Sequence, residues 1–457
     1  MGEKKDHPNG LDMDVGTTFT SPMSKFRILK NLFVTSFGFL LLFTSFQSLS
    51  NLQSTLNKAE GLGLWGLTTI YIALVLSCFF LPPFVISHLG CKWTLAFSMV
   101  CYIAYMAANL YAVFALMIPA AAILGIGAAP LWSAKCTYLT QTAVWYAKMT
   151  GTTSDDVINR FFGFFFLMFQ TSQIWGNLIS SLVFSPKTQN STVDVSPEAL
   201  AKCGPNFDPT VHDVNNTNLN RPEEDKVRMV CYIYIAFAAS AVIIVAVFLD
   251  KIKLDKTENT KENKGLSLHL FLETFWHFWR NPYQKFILSY ISCGIGIWNI
   301  GFVMITYGVV DAICSITFGR LVQFVGHIPF FALAFFVHGG TQIALLLWIP
   351  KPEPVIIYYI FAALWGIGDA VIQTQINALY GYLFTEDSEA AFANYRLWES
   401  LGFIFSFAVG NFIRTDVKLY ICLFVLFNGM FGYVVVEYLK NSEIKRNKKD
   451  KGLSTRL

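Results

Sequence analysis

The sequence predicts an all-α membrane protein built from two pseudo-repeated bundles of up to six transmembrane helices each. Of its 457 residues, 54% are hydrophobic and 14% are charged, whereas soluble chains carry about 25% charged residues. Apolar runs of membrane-spanning length recur between residues 31 and 439. Two short motifs also occur at the same ordinal place in each half of the chain. These observations argue against a soluble domain.

Ten segments are uncharged or nearly so, and each approaches the roughly 20 residues that a membrane helix requires. They are residues 31–49, 64–86, 94–112, 113–134, 161–184, 229–249, 330–349, 355–383, 398–413 and 419–439. Each segment is predicted to cross the bilayer once, because only helices satisfy their own backbone polar groups inside lipid. The lipid bilayer is therefore the first predicted partner.

Two long polar segments set the domain boundaries. Residues 185–228 contain the acceptor asparagines Asn190 and Asn215 in Asn-x-Ser/Thr sequences, which predicts an external, glycosylated loop. Residues 250–285 form a central linker that begins with five lysines and is predicted to be cytoplasmic. Within this linker, residues 266–280 are predicted to form an amphipathic helix on the membrane surface.

The two tails are predicted to lie in the cytoplasm. Residues 1–27 precede the N-terminal bundle, 28–249, and residues 440–457 follow the C-terminal bundle, 286–439. Basic tails at both ends favour the cytoplasmic side for both termini. The number of crossings is then even, in the plasma membrane or, alternatively, in an endomembrane.

The stretch FILSYISCGIGIWNIGFVMITYGVV, which begins at Phe286, decides whether the number of crossings is even. Residues 286–326 fit two short or tilted crossings, with Gly294, Gly296 and Asn299 as the turn. A re-entrant or interfacial segment is one alternative. The other is a single crossing, which would invert the rest of the chain.

The internal repeat is carried by glycines. LGIGAAPLWSAKCTYLT, which begins at residue 124, aligns with WGIGDAVIQTQINALYG, which begins at residue 365. Three pairs of glycines correspond: Gly125 with Gly366, Gly127 with Gly368, and Gly90 with Gly326. Two related six-helix halves joined by a charged central loop are typical of major facilitators.

At GAAPLWSAKCTYLT, TQINALYGYLF and AAFANYRLWESLGF the sequence resembles the uncoordinated-93 family, in particular its A-type members. The resemblance covers nearly the whole chain and implies twelve helices arranged as in major facilitators. It also implies two kinds of partner. The founding member regulates a two-pore potassium channel, and the B-type relative escorts Toll-like receptors.

One departure from the family precedes Phe286. The resemblance implies that this chain lacks most of its seventh helix, roughly 15–20 residues of a normal span. Alternative splicing or an imperfect gene model would each produce such a gap. Residues 286–310 are then the end of the seventh helix joined to the start of the eighth.

Asp369 is the first candidate for a functional residue. An ionisable side chain at mid-membrane costs about 2.5–3.5 kcal/mol and marks function by default. Asp369 lies in the apolar segment 355–383 and shares a helix face with Gln373, Asn377 and Tyr380. These four residues predict a substrate or proton site. A structural polar seam between helices is the alternative.

Four further ionisable residues are candidates. Asp311 is predicted to lie near mid-membrane and to flank the cavity. Lys135 lies near the inner end of the fourth helix, where it can snorkel to the surface or pair with Glu399. Glu399 and Arg396 belong to AAFANYRLWE and are predicted to hold an inner gate closed by ion pairing.

Two other polar groups are predicted to be structural. Gln170, Gln173 and Asn177 share one helix face and are predicted to form hydrogen bonds between helices. His338 is likewise interpreted as a structural residue of a buried helix.

Several classes of function are not supported. The sequence lacks the motifs of nucleotide-binding, metalloprotease and hydrolase sites and shows no zinc spacing. It therefore predicts no enzyme, no cofactor, no metal and no nucleic-acid partner. The C-terminal Thr455-Arg456-Leu457 fits a carboxylate ligand of PDZ domains, although three residues match often by chance.

Two functions remain. The first is a secondary transporter of a small solute, coupled to protons through Asp369 or Asp311. The second is a regulatory or trafficking subunit of a potassium channel or receptor complex. The buried acids favour the first function and the shortened seventh helix favours the second, because one fold hosts both roles.

Overall fold

The structure, a computed structural model, describes residues 23–78, 80–185, 196–211, 216–252, 287–383, 388–410 and 412–454. The helices are α1 (Lys25–Leu56), α2 (Leu62–Cys78), α3 (Leu81–Ala108), α4 (Phe114–Thr150), α5 (Ser154–Phe184), α6 (Glu224–Phe248), α7 (Cys293–Ile295), α8 (Asn299–Val325), α9 (Ile328–Leu347), α10 (Ile356–Leu383), α11 (Ser388–Gly410) and α12 (Thr415–Ser454). Within these ranges, eight helices are long and apolar enough to cross a membrane. The chain is a multi-pass membrane protein.

Local sequence signals explain several helix ends. Ser24 caps α1 by accepting a hydrogen bond from the backbone N–H of Arg27, which satisfies one of the unpaired donors of the first turn. Gly151 ends α4 in the left-handed conformation with φ 66°, as C-terminal glycines commonly do. A proline occupies the first turn of α3 and of α9, where its missing N–H costs nothing.

The helices pack as two related bundles. In the first bundle α1 contacts α5 and α6, and α4 contacts α2 and α3. In the second bundle α10 contacts α8 and α9, and α9 also contacts α12. The two bundles meet through α5 against α8 and α2 against α11. This is the pairing expected when one bundle repeats the other about a pseudo-two-fold axis.

Gly90 and Gly326 confirm the predicted repeat at the level of the backbone. Gly90 interrupts α3 with φ 69°, and Gly326 follows α8 with φ 77°. Both values lie in the left-handed region that side chains disfavour. The same sharp turn therefore joins the second helix of each half to the third.

One end of the molecule is marked by Asp250. This residue follows α6 and accepts hydrogen bonds from Arg27 at 3.1 Å, Lys30 at 2.9 Å and Asn31 at 3.2 Å. Burial raises the pKa of Asp250, but the hydrogen bonds from Arg27, Lys30 and Asn31 outweigh it and hold the pKa at about 2. We call this end the Asp250 end.

The opposite end is marked by a disulfide between Cys203 and Cys293. Cys203 belongs to the connection between α5 and α6, whereas Cys293 begins α7. Asn216 Nδ2 donates to the backbone oxygen of Cys293 at 2.8 Å. The N–H of Thr415, at the start of α12, donates to the oxygen of Phe207 at 3.0 Å. We call this end the disulfide end.

Residues 287–326 contain one membrane-length helix, not two. A π-helical turn, Ile287–Ser292, leads into α7 at the disulfide end, and α8 begins at Asn299 after a break at Gly296, where φ is 87°. The turn is thus where the sequence placed it, but the expectation of two crossings within residues 286–326 is wrong. The described part of the stretch, residues 287–326, holds a single membrane-length helix, and the orientation of the helices that follow stays a prediction.

The C-terminal end of α6 lies at the Asp250 end and the start of α7 lies at the disulfide end. The even number of crossings stays a prediction, because residues 253–286 lie outside the described residues. α1 begins at the Asp250 end, beside Arg27, and α12 begins at the disulfide end, at Thr415. The predicted helix at residues 266–280 and residues 1–22 of the N-tail lie outside the described residues, whereas α12 continues through residues 440–454 of the C-tail.

Candidate functional site

A buried polar cluster lies between α8, α9 and α10. We use the name polar cluster for five side chains, all at most 5% exposed: Tyr307, Asp311, His338, Gln342 and Asp369. The Tyr307 hydroxyl donates a hydrogen bond to Asp369 Oδ2. Ser315 Oγ donates one to Asp311 Oδ1 at 3.1 Å. The carboxyl groups of Asp311 and Asp369 thus lie on two helices that contact each other, and each is far from both ends of its helix.

A close approach of two backbones builds the cluster. A Cβ atom at Gly366 on α10 would lie 2.8 Å from the backbone oxygen of Tyr307 and 3.2 Å from the backbone nitrogen of Asp311. Only glycine permits α8 and α10 to come this close. The short separation of the helices brings Asp369 within reach of Tyr307.

His338 and Gln342 form the α9 side of the cluster. They stand four residues apart, so they share one helix face. Among the described residues, neither ring nitrogen of His338 and neither polar atom of the Gln342 amide has a hydrogen-bond partner. The His338 ring lies against the backbone of Gly368. It also makes an edge contact with Trp365, with ring centroids 5.8 Å apart.

The N-terminal half offers an internal control, because it contains the same close approach without the polar groups. Gly125 packs against the backbones of Ile70 and Leu74 on α2, where Gly366 packs against Tyr307 and Asp311. A Cβ atom at Gly127 would meet Cys101 on α3 at 2.8 Å, where Gly368 meets His338. Ala128 is the repeat counterpart of Asp369. The fold therefore forms without a polar cluster at this position.

The predicted candidates fall into two groups around this cluster. Asp311 and Asp369 are both buried, on α8 and α10, which contact each other, and their role as coupling residues stays a prediction. Gln373, Asn377 and Tyr380 follow Asp369 along α10, but their side chains lie outside the described residues. Their proposed part in a substrate site therefore stays a prediction.

Lys135 lies in an aromatic enclosure rather than at a surface. Its Nζ is between 4.5 and 5.2 Å from the centroids of four rings, those of Trp132, Phe162, Phe165 and Phe166. Such distances give cation–π attraction. The side chain is only 1% exposed, so the expectation that it snorkels to the surface is wrong. The rings of α4 and α5 provide the alternative environment for its charge.

The predicted inner gate is described only in part. Glu399 on α11 is buried, with 4% of its surface exposed. The Arg396 side chain lies outside the described residues. The pairing of Lys135 with Glu399 and the gate role of Arg396 and Glu399 stay predictions.

The polar face of α5 has the predicted structural role. Asn51 on α1 donates hydrogen bonds to Gln173 Oε1 and to Asn177 Oδ1, each at 3.3 Å. A Cβ atom at Gly176 would collide with the backbone of Thr44 on α1. These contacts join α1 to α5, and they confirm the interpretation of this seam as hydrogen bonding between helices.

Sequence reasoning missed the disulfide and the α9 side of the cluster. Cys203 is the one cysteine that lies neither in nor beside an apolar segment, which could have suggested a disulfide in the external loop. No sequence signal identified Cys293 as its partner. The acceptor asparagines Asn190 and Asn215 lie outside the described residues. Within the described ranges, no group of three or more His, Cys, Asp or Glu side chains could hold a metal ion.

The two related helix bundles have the arrangement of the major facilitator fold. A solved structure of a mutant form of the nucleoside transporter NupG matches with a TM-score of 0.60 and 13% identity, and the match covers 90% of this chain and 99% of NupG. At this identity the likeness concerns the fold alone. The fold thus defines the class of protein.

The family is defined by sequence. A family model described as "Ion channel regulatory protein UNC-93" matches residues 53–287 and 287–436. Protein unc-93 homolog A of Xenopus laevis is 43% identical over 441 residues, which are 92% of this chain and 95% of the frog protein. A Caenorhabditis elegans relative, whose name provisionally assigns it to potassium channel regulation, is 33% identical over 90% of this chain and 61% of its own length. The chain belongs to the UNC-93 family.

Proposed function

We propose that this protein is a secondary transporter that couples a small solute to protons through the polar cluster. The observation that carries the proposal is the placement of Asp311 and Asp369 on facing helices in the middle of the C-terminal bundle. The N-terminal bundle has Leu74 and Ala128 at the corresponding places. Because the fold does not require the two acids, a function is the better account of their cost in the membrane.

The chemistry of the cluster suits proton coupling. A carboxyl group in a membrane interior is stable when it is neutral or when donors compensate its charge. The Tyr307 hydroxyl provides such a donor for Asp369. A movement of α8 against α10 would remove this donor and change the balance between the two forms of the carboxyl. Solute-driven movement of the bundles could thus be linked to proton uptake and release.

Proteoliposomes provide the test. Purified protein is reconstituted, an inward pH gradient is imposed, and uptake is measured for a panel of radiolabelled nucleosides, sugars, amino acids and monocarboxylates. We expect one class to accumulate in a manner that a protonophore abolishes. Accumulation that Asp369→Asn leaves unchanged would contradict the assignment to the polar cluster.

A second candidate function is regulation of a potassium channel or a receptor by a protein that does not transport. The family description favours it, and so does the disulfide. Cys203 belongs to the N-terminal half and Cys293 to the C-terminal half, and such a bond restrains the movement of one bundle against the other. Co-purification of a channel with wild-type protein and with Asp369→Asn would support this candidate, since a scaffold does not need the acid.

The disulfide also supports an orientation. Disulfides persist in oxidising compartments, so we place the disulfide end outside the cell or in a lumen and the Asp250 end in the cytoplasm. This orientation exposes the loop of Asn190 and Asn215 to glycosylation. We propose the plasma membrane as the location, with an endomembrane as the alternative. The PDZ ligand at Thr455-Arg456-Leu457 lies outside the described residues and would then be cytoplasmic.

A further inference from the structure

We infer that His338 is a second proton-binding group of the polar cluster, and that Gln342 holds a water molecule beside it. The inference rests on the proposed function for its use in transport, but the site can be tested without a solute. Its basis is geometric. Two side chains on one face of α9 are buried to at least 97% and have four polar atoms without partners among the described residues.

Unpartnered polar atoms at such burial call for an explanation. A buried amide or imidazole that is left without a hydrogen bond destabilises the fold, because its interaction with water is lost and not replaced. Buried polar groups in proteins are usually satisfied by protein or by ordered water. Four atoms within one helical turn provide enough donors and acceptors for one bound water and one bound proton.

The identity of the bound ligand follows from the side chains. Imidazole is the group whose charge changes between about pH 5 and 8. Asp369 is the residue next to Gly368, and the His338 ring contacts the backbone of Gly368. A proton on His338 would therefore be held by an opposite charge. Gln342 accepts from water and donates to it, so it completes the site.

The surroundings contain other titratable groups, which any pH experiment must separate from His338. On the helices packed against α9 they include Tyr307, Asp311 and Cys314 on α8, Tyr358, Tyr359 and Asp369 on α10, and Cys422, Tyr433 and Glu437 on α12. Tyrosine and cysteine titrate well above pH 7 in the absence of an activating partner. A transition between about pH 5 and 8 therefore comes from the histidine or from a carboxyl group. Substitution of His338 and of Asp369 separates these two sources.

The N-terminal half indicates that His338 is not needed for packing. Cys101 contacts Gly127 in the place where His338 contacts Gly368. The side chain of Cys101 is smaller and makes no use of an imidazole. The imidazole ring of His338 is therefore a feature of the C-terminal half that the fold shared by the two halves does not require.

Trp365 provides a built-in reporter. A protonated imidazole quenches the emission of an indole that it contacts, whereas a neutral ring does so much less. His338 and Trp365 are in edge contact, so protonation of His338 should lower the tryptophan emission. The chain has 11 Trp, so the change is measured as a difference between variants.

The experiment is a titration of tryptophan emission from pH 8 to pH 5 with purified protein in lipid nanodiscs. We expect a reversible loss of emission in the wild type, and its absence in His338→Gln and in Trp365→Phe. Asp369→Asn should move the midpoint to lower pH by about one unit, because the imidazolium loses its opposite charge. Gln342→Leu should move it in the same direction by less. His88→Gln, on α3 and exposed, should leave the transition unchanged.

Three outcomes would overturn the inference. The first is a wild-type emission that shows no transition, and the second is a transition that persists in His338→Gln. The third is an unchanged midpoint in Gln342→Leu, which would mean that the site holds no water at Gln342. Should His338→Gln fail to fold, His338→Asn takes its place, since it also removes the titratable ring, and Trp365→Phe shows only that the signal comes from Trp365. A transition in the absence of pH-coupled uptake would support the site and refute transport. Coupled uptake without a transition would refute the site alone.

Discussion

The hydroxyl of Tyr307 on α8 donates a hydrogen bond to the carboxylate of Asp369 on α10, and both side chains are buried. The contact exists because Gly366 lets the two helices approach closely. In the N-terminal half the equivalent approach, at Gly125, joins α4 to the backbones of Ile70 and Leu74 without such a hydrogen bond. The relationship between Tyr307 and Asp369 is thus a property of one half, and it leads to the first prediction.

Asp369→Asn is expected to abolish the pH dependence of uptake while the protein stays folded. The change removes a titratable group and keeps its shape. Asp311→Asn is the matched control and should have a weaker effect. Tyr307→Phe keeps the acid and removes its donor, so uptake should remain pH-dependent with an altered profile. The measurement is initial uptake into proteoliposomes between pH 5 and 8, and an unchanged profile in Asp369→Asn would make this residue structural.

The repeat explains which features of this site the sequence could predict. Gly366 and Gly368 are recognisable because Gly125 and Gly127 stand in the same motif, and the structure places all four glycines at close helix contacts. Asp369 was recognised because a charge inside an apolar segment is conspicuous. A charge within an apolar segment and a repeated motif can both be read from the sequence without knowledge of which segments pack together.

The remaining features depend on packing between distant segments. His338 and Gln342 are ordinary polar residues on a membrane helix, and only the neighbouring α10 shows that their polar atoms are left unpartnered. Cys203 and Cys293 are 90 residues apart, and their pairing depends on how the connection between α5 and α6 folds over α7. Periodicity carries no information about either relationship.

Removal of the disulfide is expected to loosen the disulfide end. With the bond intact, Ser181 Oγ donates to the backbone oxygen of Trp298 at 2.9 Å and is sealed between α5 and α8. A cysteine introduced by Ser181→Cys should therefore react slowly with a membrane-impermeant maleimide. The double substitution Cys203→Ser and Cys293→Ser should accelerate this reaction at least several-fold and lower the thermal unfolding temperature by several degrees.

Cys136→Ser is the control for the disulfide experiment, because Cys136 is free and exposed. It should change neither the labelling rate at position 181 nor the unfolding temperature. Fast labelling in the presence of the intact disulfide would contradict the restraint. It would also weaken the argument for a protein that does not transport.

Asp250→Asn is expected to lower the unfolding temperature by a few degrees at pH 7. The folded protein holds the pKa of Asp250 at about 2, below the value of about 3.9 in an unfolded chain. The ionised carboxylate therefore stabilises the fold above about pH 4, and this contribution is lost as the pH falls towards 2. The difference between wild type and Asp250→Asn should accordingly shrink below pH 4. Asp208→Asn, whose carboxylate bonds mainly to nearby Thr210, should show a much smaller difference at pH 7.

Asn190 and Asn215 are expected to carry glycans if the disulfide end is external. The wild-type protein from a eukaryotic host should shift to a lower apparent mass after glycosidase treatment. Asn190→Gln and Asn215→Gln should each remove part of this shift, and the double variant should remove all of it. A wild-type band that the enzyme leaves in place would mean that the loop does not reach a lumen, and the proposed orientation would be wrong.

The last prediction concerns Gly296 and the position of the C-terminus. Because α1 begins and α12 ends towards the Asp250 end, an epitope tag after Leu457 should be stained only after permeabilisation of the cells. Gly296 has φ 87° and lies directly against the Trp298 ring, so it makes the break between α7 and α8 that turns the chain back. Gly296→Leu strains this turn. It should give a fraction of molecules whose tag stains on intact cells.

Gly340→Leu, at a glycine on α9 with no atom within contact distance, is the matched control and should leave the tag inside. Staining of the wild-type tag on intact cells would contradict a cytoplasmic C-terminus and the assignment of the Asp250 end to the cytoplasm.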